Sequence, residues 1–282
     1  MSLFDDLVEA ALRHRPEVAI LRPVVEKEIL HHEILRIMNQ ADLLRNLVFM
    51  GGTCLRLCHG SPRLSEDLDF ATALADAELT SELVQLGVIL PEKLHEKYDL
   101  PVVVDAPERT EGDVRTWKVR ITTRPGRRDL PLQRINIDVQ TLSALDPVPM
   151  ALRNPYRVDL GTMGLIIATE SMSEILVDKV IAIALRPNRI KNRDLWDLGW
   201  LDQHDVPLRT DVLETKLSNR GIAVEAFRDL YATRCAELDG GHDRFVFEMR
   251  RFLAPQLAEQ SISRPEYYEY LVRTAKILLR RM

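Results

Sequence analysis

Gly51-Gly52-Thr53-Cys54-Leu55-Arg56-Leu57, followed after a short gap by Ser65-Glu66-Asp67-Leu68-Asp69-Phe70, is the stretch that decides the fold. The apolar run Leu47-Val48-Phe49-Met50 leads into the two glycines, the pattern of a buried strand entering a tight turn. Glycines there let the backbone turn sharply and come close to a bound group. Thr53 adds a hydroxyl and opens a short helix that Gly60 stops, and a helix N-terminus suits a phosphate. Asp67 and Asp69 are two apart, so on a strand they share a side. Leu68 and Phe70 alternate with them and fix which side is buried. A Gly-Gly turn alone is only a turn, and Asp-x-Asp alone is a solvated strand. In this order, on apolar strands, they outline a site for a nucleotide and a hard cation such as Mg²⁺.

Outward from that stretch, residues 3–14 and 23–41 have helical spacing, with Pro16 between them. The second helix shows an apolar face of Val24, Val25, Ile29, Leu30, Ile34, Ile37 and Met38. His31 and His32 fall outside that face, and no partner gives them or His59 a catalytic reading. A further helix is expected over 80–98, capped by Thr80 or Ser81. Val102-Val103-Val104, 114–123 and 132–141 are rich in β-branched residues, and the last two alternate with period two. Turn chemistry at 124–129 predicts that these two pair as an antiparallel hairpin. From Ser173 onward the sequence is helical: one helix from Ser173, one capped by Asn192, then 209–219, 223–238, 241–255 and 265–281. The expected organisation is an α/β (α+β) domain with a small mixed sheet over 1–170 and a helical bundle over 171–282, with the site in the cleft between them.

The chain has 282 residues and a net charge of −5, so it carries no general basic coat for nucleic acid. Any such contact must be local. Arg186, Arg189, Lys191 and Arg193 concentrate positive charge within eight residues, and Arg127-Arg128 is a weaker candidate. No apolar run approaches the roughly 18–20 residues of a membrane span, and the acidic start has no signal-peptide pattern. Three cysteines fit a reducing cytosol and exclude a disulfide framework. Cys54 and Cys58 lack further ligands for a zinc site. Trp196 and Trp200, four apart, read as helical core.

The text from Gly51 to Gly60, then Arg63-Leu64-Ser65-Glu66-Asp67-Leu68-Asp69-Phe70, resembles the AbiEii/AbiGii toxin branch of the polymerase-β-like nucleotidyltransferases. The resemblance implies a third acid on a later strand. Asp138, in Arg134-Ile135-Asn136-Ile137-Asp138-Val139, fits, although the family often has Lys where this chain has Asn136. It further implies a lysine helix, Glu174 to Ala182 with Lys179 on nucleotide phosphates, and an R-D-x-x-D helix, Arg193-Asp194-Leu195-Trp196-Asp197. Asp67, Asp69 and Asp138 would then bind Mg²⁺ or Mn²⁺. Gly51, Gly52, Thr53, Arg56, Ser65, Lys179 and Arg193 would hold the NTP. Asp138 or Asp194 would take the acceptor's proton, Asp194 alternatively orienting Lys179.

The implied acceptor is an RNA end, particularly of tRNA, in the cytoplasm, with a cognate antitoxin that need not bind directly. Two rivals remain: a non-catalytic nucleotide- or RNA-binding relative, and a sugar-nucleotide transferase using Asp-x-Asp. The latter gives no reason for the Gly-Gly turn.

Overall fold

The computed structural model describes residues 2–108, 112–126 and 131–282. The chain divides into two compact units, Met1–Glu170 and Ser171–Met282.

The first unit opens with α1 (Leu3–His14), capped by the Ser2 hydroxyl, and α2 (Arg22–Gln40), with a 3₁₀ turn from Pro16 between them. Strands β1 (Val48–Met50), β2 (Leu68–Ala71), β3 (Val102–Asp105), β4 (Val114–Ile121), β5 (Gln133–Gln140), β6 (Pro147–Ala151) and β7 (Ile166–Glu170) form one sheet. Their order is β3-β4-β5-β2-β1-β7-β6. Two pairings are parallel, β2 with β5 and β1 with β7; the others are antiparallel. The predicted hairpin is β4–β5. Its Arg127 and Arg128 lie outside the described residues.

Period-two patterning decides the two faces. Phe49, Leu68, Phe70, Trp117, Val119, Ile121, Ile135, Ile137 and Val139 are all buried on one side, against which α2 and the later helix α5 (Leu86–Tyr98) pack. Each such side chain contributes about 1.5–3 kcal/mol by leaving water. The alternate residues form the opposite, polar face.

Several elements differ from the sequence reading. The helix expected over 80–98 is two helices, α4 (Asp76–Leu83) and α5. Thr80 and Ser81 sit inside α4, because Glu78 turns back to the Ala75 N–H and starts that helix earlier. The break falls at Val84-Gln85, just ahead of Gly87, while Pro91 is accommodated inside α5. After the Gly-Gly turn, α3 (Gly51–Cys54) continues into a wider, π-type turn over Leu55–His59, ended by Gly60 at φ +87°. Strands β6 and β7 are additional to the expected ones. Prolines 147 and 149 hide β6, yet proline is tolerated on an edge strand, where β6 lies. His31 and His32 are fully buried, because α2 is covered on most of its circumference.

The second unit is helical: α6 (Met172–Leu185), α7 (Asn192–Asp202), α8 (Thr210–Ser218), α9 (Val224–Ala236), α10 (His242–Met249), α11 (Pro255–Gln260) and α12 (Pro265–Arg281). Ser171 caps α6, its hydroxyl accepting from the Glu174 N–H at 3.2 Å. Asn192 is the first residue of α7, not its cap, and its amide donates to Glu248 at 2.9 Å. The segment 241–255 ends early, at Met249, and Pro255 begins a separate helix. Trp196 and Trp200 are buried. At Gly199, α7 meets α12 so closely that a methyl group would collide with Leu271.

Candidate active site

In the first unit the parallel pairing of β2 with β5 sets Asp69 beside Asp138, and the antiparallel pairing with β1 sets Met50 on the other side of Asp69. Residues in register point to one face, so Asp69 and Asp138 are neighbours on the polar side of the sheet. Both are half-buried. Thr116, opposite Asp138 on β4, donates its hydroxyl to Asp138 Oδ1 at 2.6 Å. Asp67, just ahead of β2, accepts at Oδ1 from the backbone N–H of Asn136 at 3.2 Å. That donor is main chain, so the Lys-to-Asn departure from the family pattern leaves the contact intact.

The Gly-Gly turn closes directly over these acids. Gly51 has φ +74°, and a Cβ there would stand 2.6 Å from Asp69 Oδ2. Glycine is required both for the left-handed backbone and for the close approach. A Cβ on Gly52 would collide with the Arg63 guanidinium and come within 3.2 Å of Ser65 Oγ. Arg63 is buried and donates to the Leu64 carbonyl at 2.9 Å. The Thr53 hydroxyl is buried and donates to the Asp67 carbonyl, tying the turn to the acid strand.

Two residues expected at the nucleotide are built into the interior instead. Arg56 is 7% exposed; its Nε lies 3.0 Å and its Nη2 3.2 Å from the Glu28 carboxylate, and its Nη1 reaches the Ser61 carbonyl at 3.2 Å. Tyr156 donates to the same carboxylate. Burial opposes the Arg56 charge, but Glu28 beside it holds the guanidinium protonated more firmly than usual. Ser65 is buried, its N–H directed at Glu28 at 3.4 Å. The spacing G-G-T-x-x-R carries no mark separating a core arginine from a phosphate arginine. The buried Glu28 on α2 is the residue that decides it.

The second unit gathers Lys179, Asp194 and Asp197. Lys179 Nζ is 2.9 Å from Asp194 Oδ1 and 2.7 Å from Asp197 Oδ2, and Arg186 Nη1 is 2.7 Å from Asp194 Oδ2. Burial raises the Asp194 pKa, but Lys179 and Arg186 outweigh it and hold it at about 2. A general base works best with a pKa near the operating pH. Asp194 therefore suits orienting Lys179 rather than accepting a proton. Arg193 lies with its guanidinium 4.8 Å from the centre of the Phe252 ring. Of the basic run, Arg189 and Lys191 are exposed and Arg186 is half-buried on Asp194.

Sequence reasoning missed a second buried lysine. Lys216 Nζ lies 2.7 Å from Asp178 Oδ2 and 2.8 Å from Glu174 Oε1. Its signal was present: Glu174 and Asp178, one helical turn apart on a helix whose only other charge is Lys179, repel unless a cation stands between them.

Among the described residues no group of three His, Cys, Asp or Glu side chains is gathered to hold a metal ion. Asp67 turns to the Asn136 N–H and Asp138 to the Thr116 hydroxyl, and Asp138 shares its face of the sheet with Asp69. The donor chemistry of Asp69 and Asp138, half-buried carboxylate oxygens side by side, fits a hard divalent cation. The three cysteines are free and buried.

A small mixed sheet that sets paired carboxylates under a Gly-Gly turn is the arrangement that the nucleotidyltransferase resemblance implies. The chain belongs to the family described as nucleotidyl transferase AbiEii toxin of type IV toxin–antitoxin systems, whose sequence model matches residues 33–269. It is thus a toxin-type nucleotidyltransferase, and the family implies an NTP substrate and an antitoxin counterpart.

Among solved structures it is similar to MenT4, the nucleotidyltransferase toxin Rv2826c from Mycobacterium tuberculosis H37Rv. That match has 18% identity, covers 98% of this chain and 90% of that one, and has a TM-score of 0.59. It also matches a putative nucleotidyltransferase from H. pylori, with 20% identity, 90% and 96% coverage, and a TM-score of 0.46. No curated protein matches the chain. Among the described residues no helix is long and apolar enough to cross a membrane.

Proposed function

We propose that the protein transfers a nucleotidyl group from an NTP to an RNA acceptor, the 3′ end of a tRNA, forming the bond from the acceptor oxygen to the α-phosphorus and releasing pyrophosphate, in a reaction that requires Mg²⁺ or Mn²⁺. The observation that carries the reading is the register of Asp69 with Asp138 beneath the Gly51 turn. Asp69 and Asp138 would hold the cation, with Asp67 next to them. When bound, such an ion neutralises charge developing on the transferred phosphoryl group.

The chain's own residues do the rest. Gly51 and Gly52 keep the turn low enough for a phosphate to approach main-chain N–H groups. Thr53 and Arg63 brace that turn by their hydrogen bonds to the Asp67 and Leu64 carbonyls. Lys179 supplies a point charge to nucleotide phosphates, and Asp194 and Asp197 fix its direction. Asp138, steadied by Thr116, accepts the proton of the attacking hydroxyl. The reading carries a cytoplasmic setting and growth arrest opposed by the antitoxin.

The test is incorporation of label from each of four α-³²P NTPs into total RNA and into protein, with Mg²⁺ or Mn²⁺ and added tRNA. The expected result is label in a small RNA band, lost in the Asp67→Ala/Asp69→Ala double variant. Label in protein alone would overturn the RNA acceptor, and no label from any nucleotide would overturn transfer.

A further inference from the structure

The polar face of the sheet does not end at the acids. The β4–β5 pairing sets Lys118 opposite Asn136 and Arg120 opposite Arg134, on the same alternation as Thr116 and Asp138. Lys118, Arg120 and Arg134 are all exposed. At about 3.3 Å per residue, Lys118 stands about 7 Å along the strand from the level of Asp138, and Arg120 with Arg134 about 13 Å. Among the described residues two carboxylates border this stretch: Asp67, at the Asn136 level nearest the acids, and Asp105 on β3, opposite Lys118 and 2.9 Å from Arg120. Both Asp105 and Arg120 are more than a third exposed, and such a pair is held weakly enough to exchange for a phosphate.

The other flank of the same face is different. There β7 and β6 present Ile166, Ala168, Pro149 and Ala151, all exposed and apolar. Among the described residues of these strands, positive charge therefore runs from the acids along β4 and β5 and not across β7 and β6, in a protein whose net charge is −5. A nucleic-acid strand carries a phosphate about every 3.4 Å of axis. The interval of about 7 Å between the Lys118 level and the Arg120–Arg134 level thus spans about two phosphate spacings, and the track continues away from the acids as an extended polyanion would.

We propose that Lys118, Arg120 and Arg134 form the docking track for the phosphodiester backbone of the RNA acceptor, leading its end toward Asp69 and Asp138. The proposal rests on the reading that the acceptor is RNA.

The test is fluorescence anisotropy of fluorescein-labelled total tRNA on the full-length protein between 50 and 200 mM salt, with NTP KM measured alongside. The Lys118→Ala/Arg134→Ala variant is expected to raise Kd at least about tenfold. It should lower the slope of log K against log salt by about two, one per lost phosphate contact, and leave the NTP KM unchanged. Arg45→Ala/Lys93→Ala removes the same charge from exposed positions elsewhere and should leave Kd within about twofold. Wild-type binding matched by the track variant, in Kd and in slope, would overturn the track alone. A rise in NTP KM equal to the loss of RNA affinity would assign these residues to the triphosphate and overturn it too. Failure of the wild type to bind any tRNA would overturn the RNA reading itself.

Discussion

The two units treat carboxylates in opposite ways. On the sheet face, Asp69 and Asp138 are half-buried; the Thr116 hydroxyl donates to Asp138 and the Asn136 N–H to Asp67. In the helical unit, Asp194, Asp197, Glu174 and Asp178 are held by Lys179, Arg186 and Lys216 at 2.7–2.9 Å. These acids are already neutralised, so they position lysines and stabilise the bundle. Similar residue types thus line a half-buried strand face in one place and clamp lysines inside a bundle in the other.

The largest effects should separate the two roles. Asp69→Asn or Asp138→Asn should lower transfer more than a hundredfold, since even an outer-shell partner of a metal ligand is worth 10–100-fold. The melting temperature should move by no more than a few degrees, as read by calorimetry. Lys216→Met should do the reverse. Leaving Glu174 and Asp178 buried without a cation costs about 3–5 kcal/mol, and denaturant unfolding should show it. Adding Glu174→Gln and Asp178→Asn should restore most of the loss.

A smaller effect tests the Thr116 hydroxyl. Thr116→Val should reduce kcat about 10–100-fold with little change in NTP KM, and Thr116→Ser should recover it. A merely structural Thr116 would move stability and not kcat. The smallest effect is a pH dependence. The folded Asp194 pKa of about 2 lies below the ordinary aspartate value of 3.8. Its stabilisation is therefore full above about pH 4 and lost as pH falls toward 2, amounting to roughly 2 kcal/mol. In Asp194→Asn that part of the acid limb should vanish from the stability–pH curve.

The acid face was legible in the sequence because its signal is local: Gly-Gly, Asp-x-Asp and the alternation of β2 and β5 all lie within single elements. The Asp69–Asp138 register was not legible, since it depends on a parallel pairing between strands far apart in the chain. Thr116 escaped for the same reason, its partner being set by hairpin register. Arg56 was misplaced because the residue that claims it, Glu28, lies on α2, 28 positions away. Lys179 with Asp194 was legible only through the family resemblance; the short contacts that make it a clamp are tertiary. Strand β6 was hidden by its prolines, which mark an edge only once the sheet order is known.

The central claim is that transfer is performed at the sheet acids and supported, not performed, by the clamped ones. The most direct measurement compares single-turnover label transfer to tRNA by Asp138→Asn and Asp194→Asn, each shown folded by calorimetry. The account predicts no detectable transfer from the first. The second should keep measurable transfer, with a raised NTP KM from a less firmly held Lys179. Transfer near the wild-type rate in folded Asp138→Asn would contradict it, as would complete loss in Asp194→Asn at unchanged NTP affinity.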